Sequence, residues 1–205
     1  MKRTTRSFGK SGQYLEYMTP NPKGIILYFH GLGQVGKGIE SIEDNELPKL
    51  IKQGLELNCI VIAPYLEKGD NWPASLIKSM FGVLDSYGIE QKHVTGLSLG
   101  GIATIAAMNL AYTWRGCSDY FKTAGIVCGK TAISDPEPFR RTKIVWWHGK
   151  KDSPKMPYLG AKKFIDMLKE HGHENAELIT YQNDGHSIWN KAYPEYIQMF
   201  GFKEE

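Results

Sequence analysis

The chain has 205 residues, of which 41% are hydrophobic and 23% charged, values typical of one globular domain with a packed core. The formal net charge of +3, from 25 basic and 22 acidic residues, is too small to indicate nucleic-acid binding. Three widely spaced cysteines without a Cys-x-x-Cys pair argue against a zinc ribbon or a disulfide framework, and the apolar runs around Cys59 and Cys128 favour burial.

The N-terminal segment predicts two antiparallel strands, TTRSFGK and QYLEYMT, joined at Ser11-Gly12. The first residues are basic but lack the apolar core of a signal peptide, and no apolar run is long enough to span a membrane. We therefore expect a cytoplasmic protein, unless a leader has been removed.

Six short apolar runs predict the strands of a central sheet, at 24–30, 58–64, 93–97, 124–129, 143–149 and 176–181. They rarely alternate with polar residues, which indicates strands that are covered on both faces. Helical patterns separate them, at 73–88, directly after Ser98, at 156–172 and from 187 or 188 towards 200. In the third helix, the spacing predicts a buried face made of Leu159, Phe164, Ile165 and Leu168. Alternating strands and helices predict a mostly parallel α/β sheet within a single domain over residues 1–205.

The stretch KHVTGLSLGGIATIAAMNL places Ser98 between Gly96 and Gly100, where a strand becomes a helix. A tight turn of this kind strains the backbone of its central residue and requires small neighbours two positions away. The helix N-terminus also favours developing negative charge. The motif predicts a nucleophilic serine, although a serine that only caps the helix is an equal alternative on this motif alone.

A serine nucleophile needs a base, and the base needs a group that orients it. Asp152 follows the fifth apolar run, and His186 lies in the loop after the sixth. The carboxyl ends of parallel strands meet at one edge of a sheet, so we expect Ser98, Asp152 and His186 to form a catalytic triad there.

Other acids and histidines fit these roles less well. Asp135 follows the fourth run, but the sequence ISDPEP around it is typical of a turn. Asp184 is expected to shape the loop of His186. The remaining candidates are expected to be structural or to lie at exposed ends of elements, namely His93, His148, His171 and His173.

The loop after the first buried strand, YFHGLGQVGKG, offers donors for an oxyanion hole. The backbone N–H of Leu99 follows the nucleophile, and the second N–H is expected from Leu32, with Gly33 next to it. The same loop nearly matches the phosphate-binding pattern G-x-x-x-x-G-K-[ST], but Gly38 stands where the magnesium-binding hydroxyl should be. Nucleotide binding is therefore the weaker interpretation.

Four motifs in order, HGLG, GLSLGG, HGKKDSPKMPY and DGHSIW, make the chain resemble an α/β-hydrolase from end to end. The resemblance implies a mostly parallel sheet with helices on both faces and a Ser98–His186–Asp152 triad. It also implies an oxyanion hole at Leu32 and Leu99, and no metal or other cofactor. The elbow and the acid motif are most similar to small esterases related to feruloyl and acetyl-xylan esterases and polyhydroxyalkanoate depolymerases. No cap insertion is visible between the fourth and fifth runs, so an open site is expected.

Loops after the strands are expected to contact the substrate, through Gly33, Trp72, Lys130, Met156 and Ile188. Trp72 precedes a helix-starting proline and could equally be a core residue. The predicted function is a small carboxylesterase or carbohydrate esterase acting on a small-molecule or carbohydrate-linked ester. A peptidase, thioesterase or lysophospholipase with the same triad remains an alternative, as does a non-catalytic binding or assembly module.

Overall fold

The computed structural model describes residues 1–9 and 12–203 and contains one eight-stranded sheet. Its strands are β1 (Lys2–Phe8), β2 (Gly12–Met18), β3 (Gly24–Phe29), β4 (Cys59–Pro64), β5 (Lys92–Leu97), β6 (Thr123–Val127), β7 (Lys143–Gly149) and β8 (Ala176–Tyr181). Their order in the sheet is β1-β2-β4-β3-β5-β6-β7-β8. Strand β2 pairs antiparallel with both β1 and β4, whereas β3 to β8 all run parallel to one another. The predicted N-terminal hairpin is confirmed, whereas Ser11 at its turn lies outside the described residues.

The helices are α1 (Glu46–Lys52), α2 (Ala74–Asp85), α3 (Leu99–Arg115), α4 (Tyr158–Glu170) and α5 (Trp189–Met199). Short 3-10 helices cover Leu32–Gln34, Ile39–Asp44 and Glu137–Phe139. Four of the α-helices follow the predicted patterns. The sequence did not predict α1, which has only seven residues with Pro48 in its first turn, a position that a helix tolerates.

Both faces of the sheet are covered, as the apolar strands predicted. Alternate residues of β3 show the division: Ile25, Leu27 and Phe29 pack in one core with α2, α3 and α4. Ile26 and Tyr28 pack in a second core with α1 and α5. All five of these side chains are fully buried.

Two predictions about side chains in or just after α4 are wrong. Leu159 was expected on the buried face of α4 but is 64% exposed, because this face begins only at Ala161 and continues through Phe164. His173 was expected at an exposed helix end but is buried. The chain turns back after α4, so His173 Nε2 lies 2.7 Å from the carbonyl oxygen of Phe139.

The parallel strands end at one edge of the sheet, and the loops that leave this edge carry the predicted site residues. Leu32 follows β3, Ser98 follows β5, Asp152 follows β7 and His186 follows β8. Among the described residues, no helix combines the length and apolar character needed to cross a membrane.

Candidate active site

Ser98 occupies a strained turn between β5 and α3, with φ 54° and ψ −114°. A Cβ atom on Gly96 would overlap the carbonyl oxygen of Gly100, and one on Gly100 would overlap the carbonyl oxygen of Phe29. The turn therefore needs both glycines for close backbone approach. The Ser98 side chain makes no capping hydrogen bond to α3, which argues against the alternative of a simple N-cap serine.

The three predicted triad residues form one hydrogen-bonded chain. Ser98 Oγ lies 2.8 Å from His186 Nε2, and His186 Nδ1 lies 2.9 Å from Asp152 Oδ2. The carboxylate of Asp152 is fully buried, whereas the His186 side chain is 32% exposed. In this arrangement, Nδ1–H of His186 donates to the carboxylate, and Nε2 is free to accept the serine proton.

The loops that carry the acid and the base pack closely against each other. A Cβ atom on Gly149, the last residue of β7, would overlap the carbonyl oxygen of Gly185. The backbone N–H of Lys151 donates to the carbonyl oxygen of Asp184 at 2.9 Å. The Asp184 carboxylate pairs with Lys191 at 2.6 Å, so this residue shapes the loop of His186, as expected.

Asp135, the rival acid, is engaged elsewhere. Its Oδ1 accepts the backbone N–H of Glu137 at 3.0 Å, in an exposed turn. His93 and His171 likewise contact local groups, Thr123 Oγ1 at 2.9 Å and the Met167 carbonyl oxygen at 2.8 Å.

The loop after β3 and the start of α3 each present a free backbone N–H beside the serine turn. Among the residues that the structure describes, neither Leu32 N–H nor Leu99 N–H donates to a protein acceptor. Both groups therefore remain free to donate to a substrate oxyanion. The same loop leads into a 3-10 helix, and α1 begins only at Glu46, so it lacks the helix N-terminus on which a phosphate-binding loop depends.

No protein-family model matches the chain. YitV of Bacillus subtilis (strain 168), which is named as an unconfirmed esterase, is 26% identical over 142 residues. The match covers 52% of this chain and 55% of YitV, so it spans little more than half of that protein.

Several solved structures match nearly the whole chain. The structure of a thermostable esterase matches this chain with a TM-score of 0.72 and 20% sequence identity. The match covers 99% of this chain and 63% of the esterase chain. Esterase 2 of Thermogutta terrifontis, solved after phosphorylation by paraoxon, has a TM-score of 0.68 and 13% identity, covering 99% of this chain and 96% of its own. The chain has the α/β-hydrolase fold. The predicted fold class is therefore confirmed.

Two of the five predicted substrate contacts belong to the core. Trp72 is only 7% exposed and packs edge-on against Phe29 and His30, with ring centroids 4.8 and 4.9 Å away. This favours the core alternative for Trp72. Ile188 has no exposed surface and packs under α5 in the second core, so its predicted contact with substrate is wrong.

The other three predicted contacts lie in surface loops at the carboxyl edge. Gly33 and Lys130 are exposed, and Met156 is partly exposed. Lys130 borders an apolar groove of about 340 Å³, lined by Ile102, Ile105, Ala106, Thr131, Ala132 and Ile133. The Ile102 N–H donates to the Ser98 carbonyl oxygen at 3.2 Å, so the groove begins one helical turn from the serine.

The sequence did not indicate two groups next to Asp152 in the candidate site. His148 Nε2 lies 3.1 Å from Asp152 Oδ2, although His148 was expected to be only structural. Cys128, with φ 48°, lies so close that its sulfur, a carboxylate oxygen of Asp152 and a ring nitrogen of His186 are all within 4.8 Å of one another. Burial raises the pKa of the Cys128 thiol to about 12. The position of both residues at strand ends next to the acid was the only signal in the sequence.

Proposed function

We propose that this α/β-hydrolase is a serine esterase that cleaves carboxylic esters through Ser98, His186 and Asp152. The observation that carries the proposal is the chain of hydrogen bonds, 2.8 and 2.9 Å long, that starts at a serine in a strained turn. The name of YitV and the paraoxon adduct of Thermogutta terrifontis esterase 2 support the same chemistry.

In the acylation step, Ser98 Oγ attacks the ester carbonyl carbon while its proton moves to His186 Nε2. The carbonyl π electrons move onto oxygen, and the N–H groups of Leu99 and Leu32 donate to this oxyanion. Asp152 stabilises the imidazolium and holds its Nδ1–H in place. When the tetrahedral intermediate collapses, the bond to the alcohol oxygen breaks and His186 returns the proton to the leaving alcohol.

In the deacylation step, water takes the place of the alcohol. His186 Nε2 removes a proton from water as its oxygen attacks the acyl carbon, and the same two N–H groups stabilise the second oxyanion. Collapse breaks the bond to Ser98 Oγ, and the proton on His186 goes back to that oxygen. The products are a carboxylic acid and the regenerated serine.

We place the apolar part of the substrate in the groove between Ile102 and Ile133. The groove starts at Ile102, one helical turn from Ser98, and presents mainly aliphatic surface, which suits an acyl chain of modest length. A larger groove of about 610 Å³ lies between α1 and α5, lined by residues such as Leu50 and Ile197. It adjoins helices on the face opposite α3, so we do not assign it to the ester.

The test compares wild type with Ser98→Ala on p-nitrophenyl acetate, butyrate and octanoate and on methyl ferulate. Paraoxon treatment followed by peptide mass mapping asks which residue becomes phosphorylated. Ser75→Ala, which removes an exposed hydroxyl from α2, serves as the matched control. Hydrolysis and Ser98 labelling in wild type and Ser75→Ala, but not in Ser98→Ala, are expected.

Equal turnover by a folded Ser98→Ala variant would refute the nucleophile assignment. Labelling of Ser98 without ester turnover would favour the peptidase, thioesterase or lysophospholipase alternatives, which peptide, acyl-thioester and lysophospholipid substrates then distinguish. A folded wild type that is neither active nor labelled would favour a binding module.

A further inference from the structure

The buried carboxylate of Asp152 has more donors around it than the His186 pair supplies. His186 Nδ1 lies 2.9 Å and His148 Nε2 lies 3.1 Å from the same oxygen, Oδ2. The other oxygen, Oδ1, accepts the backbone N–H of Ser153 at 2.6 Å. A fully buried carboxylate needs such donors to offset the cost of its desolvation.

The neighbours of His148 determine which of its ring nitrogens carries the proton. The indole N–H of Trp146 points at His148 Nδ1 at 3.1 Å, and an indole N–H can only donate. Nδ1 must therefore be the acceptor, and the neutral ring carries its proton on Nε2. Burial lowers the pKa of His148 below its usual value, which favours this neutral form.

The Nε2–H of His148 faces two acceptors on the loop after β7. It donates to the Met156 carbonyl oxygen at 3.1 Å, and Asp152 Oδ2 lies at the same distance from Nε2 as a close polar contact. The same N–H thus fixes the loop segment after the acid and lies against the carboxylate.

His148 is well placed to fix the position of a loop carboxylate. It lies in β7 with no exposed side-chain surface. The centroid of its ring is 6.3 Å from that of Trp146 and 6.2 Å from that of Tyr158. Asp152, in contrast, lies three residues beyond the end of the strand. The rigid strand therefore supplies a donor to the more exposed loop.

We propose that His148 is a positioning residue for the triad: its Nε2–H fixes the Met156 carbonyl of the acid loop and faces Asp152 Oδ2, and so keeps this oxygen in line with His186 Nδ1. This inference rests on the proposed function, since Asp152 is taken as the acid of a serine esterase. His148 does not contact substrate. It acts by fixing the carboxylate that orients His186, and neighbours that act in this indirect way in metal sites typically change activity about 10- to 100-fold when removed.

Two substitutions separate the donor from the bulk of the ring. His148→Leu removes the donor, whereas His148→Gln keeps an N–H that can reach Asp152 and an oxygen that can accept from Trp146. We expect His148→Leu to lower kcat about tenfold or more with little change in KM, and His148→Gln to restore much of the loss. Tyr158→Phe, which removes only a hydroxyl that accepts from Thr180 Oγ1 at 3.2 Å, is the matched control next to the same ring.

A second readout does not depend on turnover. In wild type, the Nδ1–H of His186 shared with Asp152 is expected to give a low-field proton resonance in the NMR spectrum. This resonance should shift or disappear in His148→Leu and return in His148→Gln. Thermal unfolding checks that each variant is folded, and His148→Asn, whose amide is too short to reach Asp152, replaces His148→Leu if that variant does not fold.

The two readouts distinguish failure of this inference from failure of the proposed function. Unchanged kcat and an unchanged His186 resonance in folded His148→Leu would overturn the positioning role. Equal losses in His148→Leu and His148→Gln would overturn it too, because a purely structural role does not depend on the donor. If wild type hydrolyses no ester, the esterase proposal fails, and the resonance alone decides whether His148 holds Asp152.

Discussion

The ring of His30 holds the carbonyl group of Gly31, whose oxygen accepts the His30 Nδ1–H at 2.8 Å. Since C=O and N–H of one trans peptide group point in opposite directions, this bond also directs the N–H of Leu32, the proposed oxyanion donor. The backbone N–H of Leu66 donates to His30 Nε2 at 3.0 Å and so fixes the tautomer. Burial lowers the pKa of His30 to about 4, which keeps the ring neutral in this role.

The oxyanion assignment predicts that Leu32→Pro lowers activity much more than Leu32→Ala. Proline removes the N–H and fits here, because Gly31 has ψ 178° and Leu32 starts a 3-10 helix. Loss of one oxyanion donor typically lowers kcat about 10²- to 10³-fold. Leu32→Ala keeps the N–H and trims a side chain that is 57% exposed, so it should retain nearly full kcat on p-nitrophenyl acetate. Similar kcat values for the two folded variants would remove Leu32 from the oxyanion hole.

The triad assignment predicts that Asp152→Asn is far more damaging than Asp135→Asn. An amide at 152 cannot stabilise the imidazolium and favours the wrong tautomer of His186, which lowers kcat about 10⁴-fold in a well-studied triad. Asp135 accepts one backbone N–H in an exposed turn, and asparagine can do the same. Steady-state kinetics on p-nitrophenyl butyrate measure both variants. The reverse order of damage would assign the acid to the loop after β6.

The groove assignment predicts that Ile102→Trp changes acyl-chain preference. Ile102 is partly exposed, and a larger side chain there should fill part of the groove of about 340 Å³. We expect kcat/KM for p-nitrophenyl octanoate to fall at least about tenfold relative to that for acetate, because a misfit of even one methylene group is worth about 1–3 kcal/mol. Lys78→Trp, a substitution on α2 outside the groove lining, is the control. A uniform loss over all chain lengths would mean that the groove does not hold the acyl chain.

The sheet and the meeting of Ser98, Asp152 and His186 were predictable because their signals are local. Apolar runs without alternation can be satisfied only by strands buried on both faces, and six of them lie within two residues of β3–β8. The glycines around Ser98 are required by backbone contacts two residues away. The order of strands then brings Asp152 and His186 to the same edge without any further information.

The contacts of buried rings were not predictable from the sequence in the same way. Whether Trp72 packs against His30 or faces substrate depends on the path of the chain after β4, which no local pattern specifies. His148 and His173 are both histidines near the ends of their elements. His148 Nε2 lies near Asp152 Oδ2, whereas His173 Nε2 lies near the Phe139 carbonyl oxygen. Only tertiary packing decides which nitrogen meets which oxygen, so the link between His148 and the acid required the structure.

Buried neutral histidines also predict how stability depends on pH. Burial lowers the pKa of His93 from 6.5 to about 4 in the folded protein, so between these values the unfolded state binds more protons at this residue. The stability that neutral His93 contributes is therefore fully present above about pH 6.5 and is lost as the pH falls towards 4. This change in the pKa of His93 between the unfolded and folded states corresponds to roughly 3 kcal/mol of unfolding free energy.

His93→Asn should reduce this acid sensitivity. Asparagine can still contact Thr123 Oγ1, which lies 2.9 Å from the ring in wild type, but it has no proton to gain. Urea unfolding across the window should show that wild type loses more free energy of unfolding than the variant does. Other groups that titrate in this pH range are the same in both proteins, so their effects cancel in the comparison. If the free energy of unfolding changes with pH in the same way in both proteins, His93 is protonated at the same pH in the folded and unfolded states, and the prediction is wrong.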